Sequence, residues 1–251
     1  MRFYIHMLIF LLPILLFSQE QDWKGIHHIE YYEHLGKPKD KLTIPGKPQE
    51  RTYTGEKPSV HVFGWHPYWA DGDEYKYYDY NALHTIGYFS YAVDPATGSY
   101  TTIHGWDETP VIEYAHQRDV RVVLVITNFG YDNNDILLSD PQKRATLISE
   151  SVSLVKEYDG DGINIDFENI RSSQRENLSS FMTALSYELR SVIPEAELSI
   201  CLPPVYWSDA FDLEVLSDLC DYLIIMGYNY FWSGSSIAGP VAPLDFDTLS
   251  S

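Results

Sequence analysis

Asp161-Gly162-Ile163-Asn164-Ile165-Asp166-Phe167-Glu168 alternates polar and apolar residues without a break. On an extended strand successive side chains point to opposite faces, so Ile163, Ile165 and Phe167 share one face while Asn164, Asp166 and Glu168 share the other. A half-exposed edge strand would satisfy that spacing on its own. The surrounding sequence favours a different setting. Five further runs rich in β-branched and aromatic residues flank it: Val60 to Trp69, Thr85 to Val93, Arg121 to Phe129, Glu197 to Leu202 and Tyr222 to Tyr230. Longer stretches separate several of them, and Pro141 to Tyr158 and Ser173 to Val192 carry apolar residues three and four apart, as in Leu178, Phe181, Met182, Leu185 and Leu189. Strands alternating with helices make a parallel sheet whose helices cover one face. The second face of the central run is then interior, and two carboxylates placed there need a reason, because burying unpaired charge is expensive.

Loop residues fit this plan. Pro67, Pro95, Gly130, Pro203 and Pro204 stand where chain would leave the ends of strands. No short repeat or low-complexity block interrupts the pattern. The chain of 251 residues is 45% hydrophobic and 21% charged, an ordinary globular mix that excludes a disordered or collagen-like protein. Its formal net charge of −19 argues against a nucleic-acid partner, whose phosphates such a surface repels. The 20 Tyr and 6 Trp supply more ring surface than a core of this size needs, and carbohydrate is one ligand class that suits such rings.

The start of the chain reads as a secretory signal over residues 1–19. Arg2 precedes an apolar run from Met7 to Phe17 that only Pro13 interrupts, with cleavage expected near Ser18 or Gln19. The run is short for a bilayer span, although a membrane anchor is the competing reading. Residues 20–58 hold Pro38, Pro45, Pro48 and Pro58 with balanced charge and little apolar periodicity, the composition of a leader or linker. The acidity therefore belongs to the folded part, residues 59–251. The N-terminal signal leads to the expectation of an exported, secreted or periplasmic protein with no membrane contact after signal cleavage. Cys201 and Cys220 are the two cysteines, too few for a disulfide framework, and both read as buried thiols in apolar surroundings. No metal-ligand spacing occurs, and the oligomeric state is left open.

The acidic run resembles the Asp-x-x-Asp-x-Asp-x-Glu motif of glycoside hydrolase family 18, the chitinase family, with Asp161, Asn164, Asp166 and Glu168 at its four positions. Other pieces fall in the same order along the chain. Gly64, Trp65, Pro67, Tyr68 and Trp69 resemble the family's first strand, Thr85, Ile86, Tyr88 and Phe89 its second, and Met226, Tyr228 and Asn229 the Met-x-Tyr-Asp/Asn motif of its sixth. The ending Thr127-Asn128-Phe129 on the third strand, and the segment Gly239 to Leu244, are similar to spore-cortex-lytic members.

The resemblance implies an α/β fold, a (β/α)8 TIM barrel, with the motif on its fourth strand. About six of its eight strands are present in this sequence, so the barrel is expected to be incomplete and truncated toward its C-terminal side. It further implies hydrolysis of a β-1,4 bond beside N-acetylglucosamine in chitin, with the substrate's own acetamido oxygen as nucleophile and no cofactor. Glu168 would be the acid and then the base, a task that needs a raised pKa. Asp166 would hold the acetamido group and offset its developing charge, and Tyr228 would donate to the acetamido oxygen. Asp161, Asn164, Met226 and Asn229 would support them, and Trp69 and Trp232 are candidate sugar-stacking surfaces beside Trp65, Tyr68, Tyr206 and Trp207. Asn164 stands where an Asp is most common, which removes one carboxylate from the group. Two alternatives remain at this point: a peptidoglycan N-acetylglucosaminidase, and a lectin-like barrel that binds chitin without cleaving it.

Overall fold

The computed structural model describes residues 57–70, 72–204, 209–228, 231, 239 and 241–242. Seven strands form one sheet: β1 (Phe63–Pro67), β2 (Thr85–Val93), β3 (Tyr100–Thr102), β4 (Arg121–Phe129), β5 (Gly162–Glu168), β6 (Glu197–Leu202) and β7 (Tyr222–Ile225). Six of them run parallel in chain order, β1-β2-β4-β5-β6-β7, while β3 folds back antiparallel on β2. Adding each new parallel strand beside the last, with crossovers that carry helices, is the winding of a (β/α)8 barrel. The described residues supply six of its strands, curled into a partial barrel.

Among the described residues five α-helices accompany the sheet: α1 (Val111–His116), α2 (Tyr131–Leu138), α3 (Pro141–Glu157), α4 (Arg175–Val192) and α5 (Leu213–Leu219). Helix α3 starts where Asp140 accepts hydrogen bonds from the Gln142 and Lys143 amides and Pro141 fills the first turn, so local sequence marks its start. It buries Leu147, Ile148, Val152 and Val155, and α4 buries Leu178, Phe181, Met182, Leu185 and Leu189, the stripe expected from their spacing. Both lie against the apolar face of the sheet, where Phe167 of β5 stacks on Phe181 of α4 with ring centroids 5.7 Å apart. Among the described residues no helix is long and apolar enough to cross a membrane.

Register carries the opposite face of β5 across the whole sheet. Trp65 lies beside Gly87, Phe89 beside Val125, Val125 beside Asn164, Asn164 beside Ser199, and Cys201 beside Ile224. These residues line the interior. The sheet curls far enough for its outermost parallel strands to meet: Tyr222 of β7 stacks on His61, just ahead of β1, with centroids 4.2 Å apart and the hydroxyl 3.0 Å from Nδ1. Strands β5 and β6 also approach closely, since a Cβ on Gly162 would stand 2.0 Å from the Glu197 carbonyl oxygen. Only glycine fits there.

Glu197 closes the interior at the N-terminal ends of the strands. It is 2% exposed and accepts a hydrogen bond from the Thr85 hydroxyl at 2.9 Å, with the Arg121 guanidinium 4.0 Å away. Burial pushes its carboxyl above the usual range, and Thr85 and Arg121 oppose that shift without cancelling it. An acid held more tightly by its proton in the folded chain contributes stability below the ordinary carboxylate pKa and loses it as pH rises through the raised value. Glu197→Gln should therefore match the wild type near pH 4 and become progressively the more stable of the two toward pH 8. Denaturant unfolding of both proteins across that range checks it, and parallel pH profiles would refute it.

Candidate active site

Strand β5 pairs with β4 along its whole length and with β6 over its N-terminal half. Pairing with β6 runs from Gly162 opposite Glu197 to Ile165 opposite Ile200 and stops, whereas pairing with β4 continues through Thr127 opposite Asp166 to Phe129 opposite Glu168. Asp166 and Glu168 thus emerge at the C-terminal end of the parallel strands, the end at which such barrels place their chemistry. They are 0% and 2% exposed. Strict alternation aims both inward and sends Ile165 and Phe167 into the core under the helices.

Asn164, one step further in, is also fully buried. Its side-chain amide donates to the Ser199 hydroxyl at 2.9 Å, and its carbonyl oxygen lies 3.6 Å from the Cys201 thiol. Burial drives the Cys201 thiol far above its usual pKa, and the neighbouring Asp166 carboxylate adds to the shift, so the group is a protonated donor rather than a nucleophile. Cys201 is the buried free thiol in apolar surroundings that was expected, with the polar Asn164 at its edge, whereas Cys220 is free but only partly buried. Ser199 and Cys201 were legible as a pair, because Glu197-Leu198-Ser199-Ile200-Cys201-Leu202 alternates as β5 does.

That apolar group consists of Cys201 and Met226 with Trp65, Ile224 and Tyr228 packed against them. Strand β7 ends at Ile225, earlier than the sequence suggests, and Gly227 and Tyr228 donate to carbonyls only two residues back, Ile225 and Met226. Even so, Ile224, Met226 and Tyr228 keep to the inner side. The other aromatic wall gathers Trp69, Phe89, Val125 and Phe129 with Trp65 and Tyr68. Trp69 is 5% exposed and sits edge-on to Tyr68 and Phe89, at 4.8 and 5.6 Å, so it offers little open ring to a sugar. The partly exposed ring beside it belongs to Tyr68, stacked on His104 at 3.6 Å. Asn229, Trp232, Tyr206 and Trp207 lie outside the described residues.

Asp161 is not part of this group. It precedes β5 and shares the outward parity of Ile163, and its carboxylate accepts from the Val122 amide at 2.6 Å and pairs with His116 at 2.8 Å. Seven residues of strand separate it from Glu168, on the order of 23 Å at 3.3 Å per residue. Its place in the motif reflects the tying of β4 to β5 at the opposite end of the barrel. The period of two carried that signal already.

A buried asparagine that sequence reading missed completes the site's frame. Asn134 of α2 is 0% exposed, and its amide donates to the Glu168 backbone carbonyl at 2.7 Å. Nothing in the polar sequence Tyr131 to Asn134 distinguishes it from a loop residue.

A sequence profile of glycosyl hydrolases family 18 matches residues 65–250, about three-quarters of the chain. The chain belongs to that family. Proteins similar to it include YdhD of Bacillus subtilis (strain 168), named as a sporulation-specific glycosylase. It is 28% identical over 150 residues, 55% of this chain and 34% of YdhD. Mouse di-N-acetylchitobiase is 28% identical over 184 residues, 67% of this chain and 43% of the relative. Among solved structures, the C-terminal domain of a protein named as a chitinase from Desulfitobacterium hafniense DCB-2 superposes with a TM-score of 0.61 at 26% identity. That match covers 72% of this chain and 58% of the other. The chain thus spans less than half the length of these two curated relatives.

Proposed function

We propose that this chain carries the catalytic centre of an exported glycosidase that cleaves β-1,4 bonds beside N-acetylglucosamine residues of chitin. The observation that carries the reading is the pair Asp166 and Glu168, buried side by side on the inner face of β5 at the C-terminal end of a family 18 barrel. A carboxyl group two residues from another, both shielded from water, is an arrangement suited to proton transfer and to stabilising a cation, and to little else.

In this reading Glu168 protonates the leaving oxygen as the C2 acetamido oxygen attacks the anomeric carbon of its own sugar and the glycosidic bond breaks. Asp166 faces the ring nitrogen of the resulting oxazolinium and offsets its charge, and Tyr228 donates to the acetamido oxygen. Glu168, now a carboxylate, takes a proton from water as the water opens the intermediate. The nucleophile comes from the substrate, so the enzyme needs no second nucleophilic carboxylate. Proton transfer and an internal nucleophile also need no cofactor.

A second reading, peptidoglycan as the N-acetylglucosamine polymer, has support in the similarity to YdhD, named as a sporulation-specific glycosylase. The two polymers share the sugar on the cleaved side and differ in the next one. Product release from chitin tetrasaccharide and from peptidoglycan glycan strands, by a sample whose cooperative melt shows it folded, separates them. Turnover of the tetrasaccharide is expected. Turnover of glycan strands alone would move the substrate to peptidoglycan, and tight binding of either without products would make the chain a lectin.

A further inference from the structure

The backbone carbonyl of Glu168 is held at the end of the β4–β5 ladder by the chain that starts the short helix α2. Beyond Ile165 no residue of β6 pairs with β5. The Glu168 carbonyl, on the β4 side, accepts two hydrogen bonds from chain that follows β4, one from the Gly130 amide at 3.1 Å, which extends the β4–β5 ladder, and one from the Asn134 side-chain amide at 2.7 Å. Asn134 uses its second amide hydrogen on the Gly130 carbonyl at 3.1 Å. Its oxygen accepts from the Asn128 side-chain amide at 3.0 Å, which fixes which way the group faces. Gly130, with φ of 98°, is the bend that brings α2 back over the strand end.

The chain leaves the site sharply at this point. Asn169, the residue after Glu168, has φ of 62°, a left-handed conformation that asparagine adopts more readily than other non-glycine residues and that turns the chain away from the strand. The exit loop is also tied to α2 from the solvent side, where Arg171 pairs with Asp132 at 3.0 Å, with Asp135, and lies over the Tyr131 ring at 5.0 Å. Two sets of contacts from one helix therefore bracket one peptide unit, and that unit bears the candidate acid. Burial of this amide is tolerated because its polar atoms are engaged, and removing one partner would leave a buried group unsatisfied.

We propose that Asn134 is a positioning residue for Glu168: its amide clamps the Glu168 carbonyl so that the carboxyl is presented at a fixed depth and angle to the scissile oxygen. The inference rests on the reading of Glu168 as the acid. Proton transfer is sensitive to placement, and a displacement of about 1 Å can lower a rate by roughly 10²-fold. Asn134→Asp keeps the volume and the acceptor facing Asn128 but removes both donors and sets a carboxylate against the Glu168 carbonyl. Asn128→Ala leaves Asn134 in place and removes only the bond that orients it.

The test measures kcat and KM on chitin tetrasaccharide for the full chain and both variants. A 13C titration of the Glu168 carboxyl, identified by its disappearance in Glu168→Gln, accompanies it and needs no turnover. In folded Asn134→Asp the expected result is kcat down roughly 30-fold or more with KM within about two-fold, and a displaced Glu168 titration midpoint. Asn128→Ala should move both in the same direction by less. Wild-type kcat together with an unmoved titration in a folded variant would overturn the clamp. Loss of folding in both variants would overturn it too, by making the asparagines elements of stability only. Should the wild type turn over neither chitin nor peptidoglycan, the functional reading falls, and the titration still decides whether Asn134 governs the state of Glu168.

Discussion

Glu168→Gln is expected to lower turnover of N-acetylglucosamine oligomers by about 10³-fold while leaving the melting transition and oligosaccharide binding in place. The substitution is isosteric, and at 2% exposure the side chain is held by its surroundings, so an amide occupies the same space. It cannot give a proton to a leaving oxygen or take one from water. Removal of a buried ionisable group does not by itself weaken the fold, because the charged form had to be desolvated. The effect should fall on kcat, since the proton is needed only as the bond breaks. Product release and binding by the same folded sample check both halves. Retained turnover would remove Glu168 from the acid's role, whereas loss of binding along with turnover would mean that the carboxyl holds substrate.

Much of this barrel could be read from the chain because its central strands are buried on both faces. The bounds expected for β2, β4, β5 and β6 coincide with those observed, and in each the apolar residues are flanked by Gly, Pro or charged residues that stop the pattern. Strand β7 was read too long, to Tyr230. Met226 and Tyr228 keep the alternation of a strand after the ladder has ended, and alternation reports which side a residue faces rather than whether it is paired. The short elements α1, α2, α5 and the β3 turn-back were missed, since six to eight residues give barely two turns over which a period can repeat.

The site divides in the same way. Asn164, Asp166 and Glu168 are legible because one strand positions all three by a rule of two, and Met226 and Tyr228 follow the same rule just past the end of β7. Asp161 breaks it, and parity alone should have removed it. Asn134 obeys no rule that sequence can show: it reaches Glu168 across 34 residues, through contacts that exist only once α2 has folded over the end of β5. Side chains that meet substrate from a strand end are periodic, whereas those that hold the strand end itself come from elsewhere.

Asp166→Asn should cost about 10² to 10³ in kcat, and the pattern across substrates should set it apart from the loss of Glu168. Asp166 is 0% exposed, and Asn164, its neighbour two residues before it on the same face, is a neutral amide turned toward Ser199. The negative charge available to an oxazolinium on this side of β5 therefore rests on Asp166, with no carboxylate at position 164 to share it. Asparagine can preserve the shape and a hydrogen bond, but it returns nothing to a cation. An aryl glycoside with an acidic leaving phenol departs without protonation, so turnover of that substrate should be partly restored in Glu168→Gln. It should not be restored in Asp166→Asn, because the acetamido oxygen must still attack and its charge must still be balanced. Equal rescue of the two variants by the aryl substrate would show that Asp166 acts through the proton on Glu168 and not on the intermediate. Full activity of Asp166→Asn on every substrate would remove the acetamido group as nucleophile in this site.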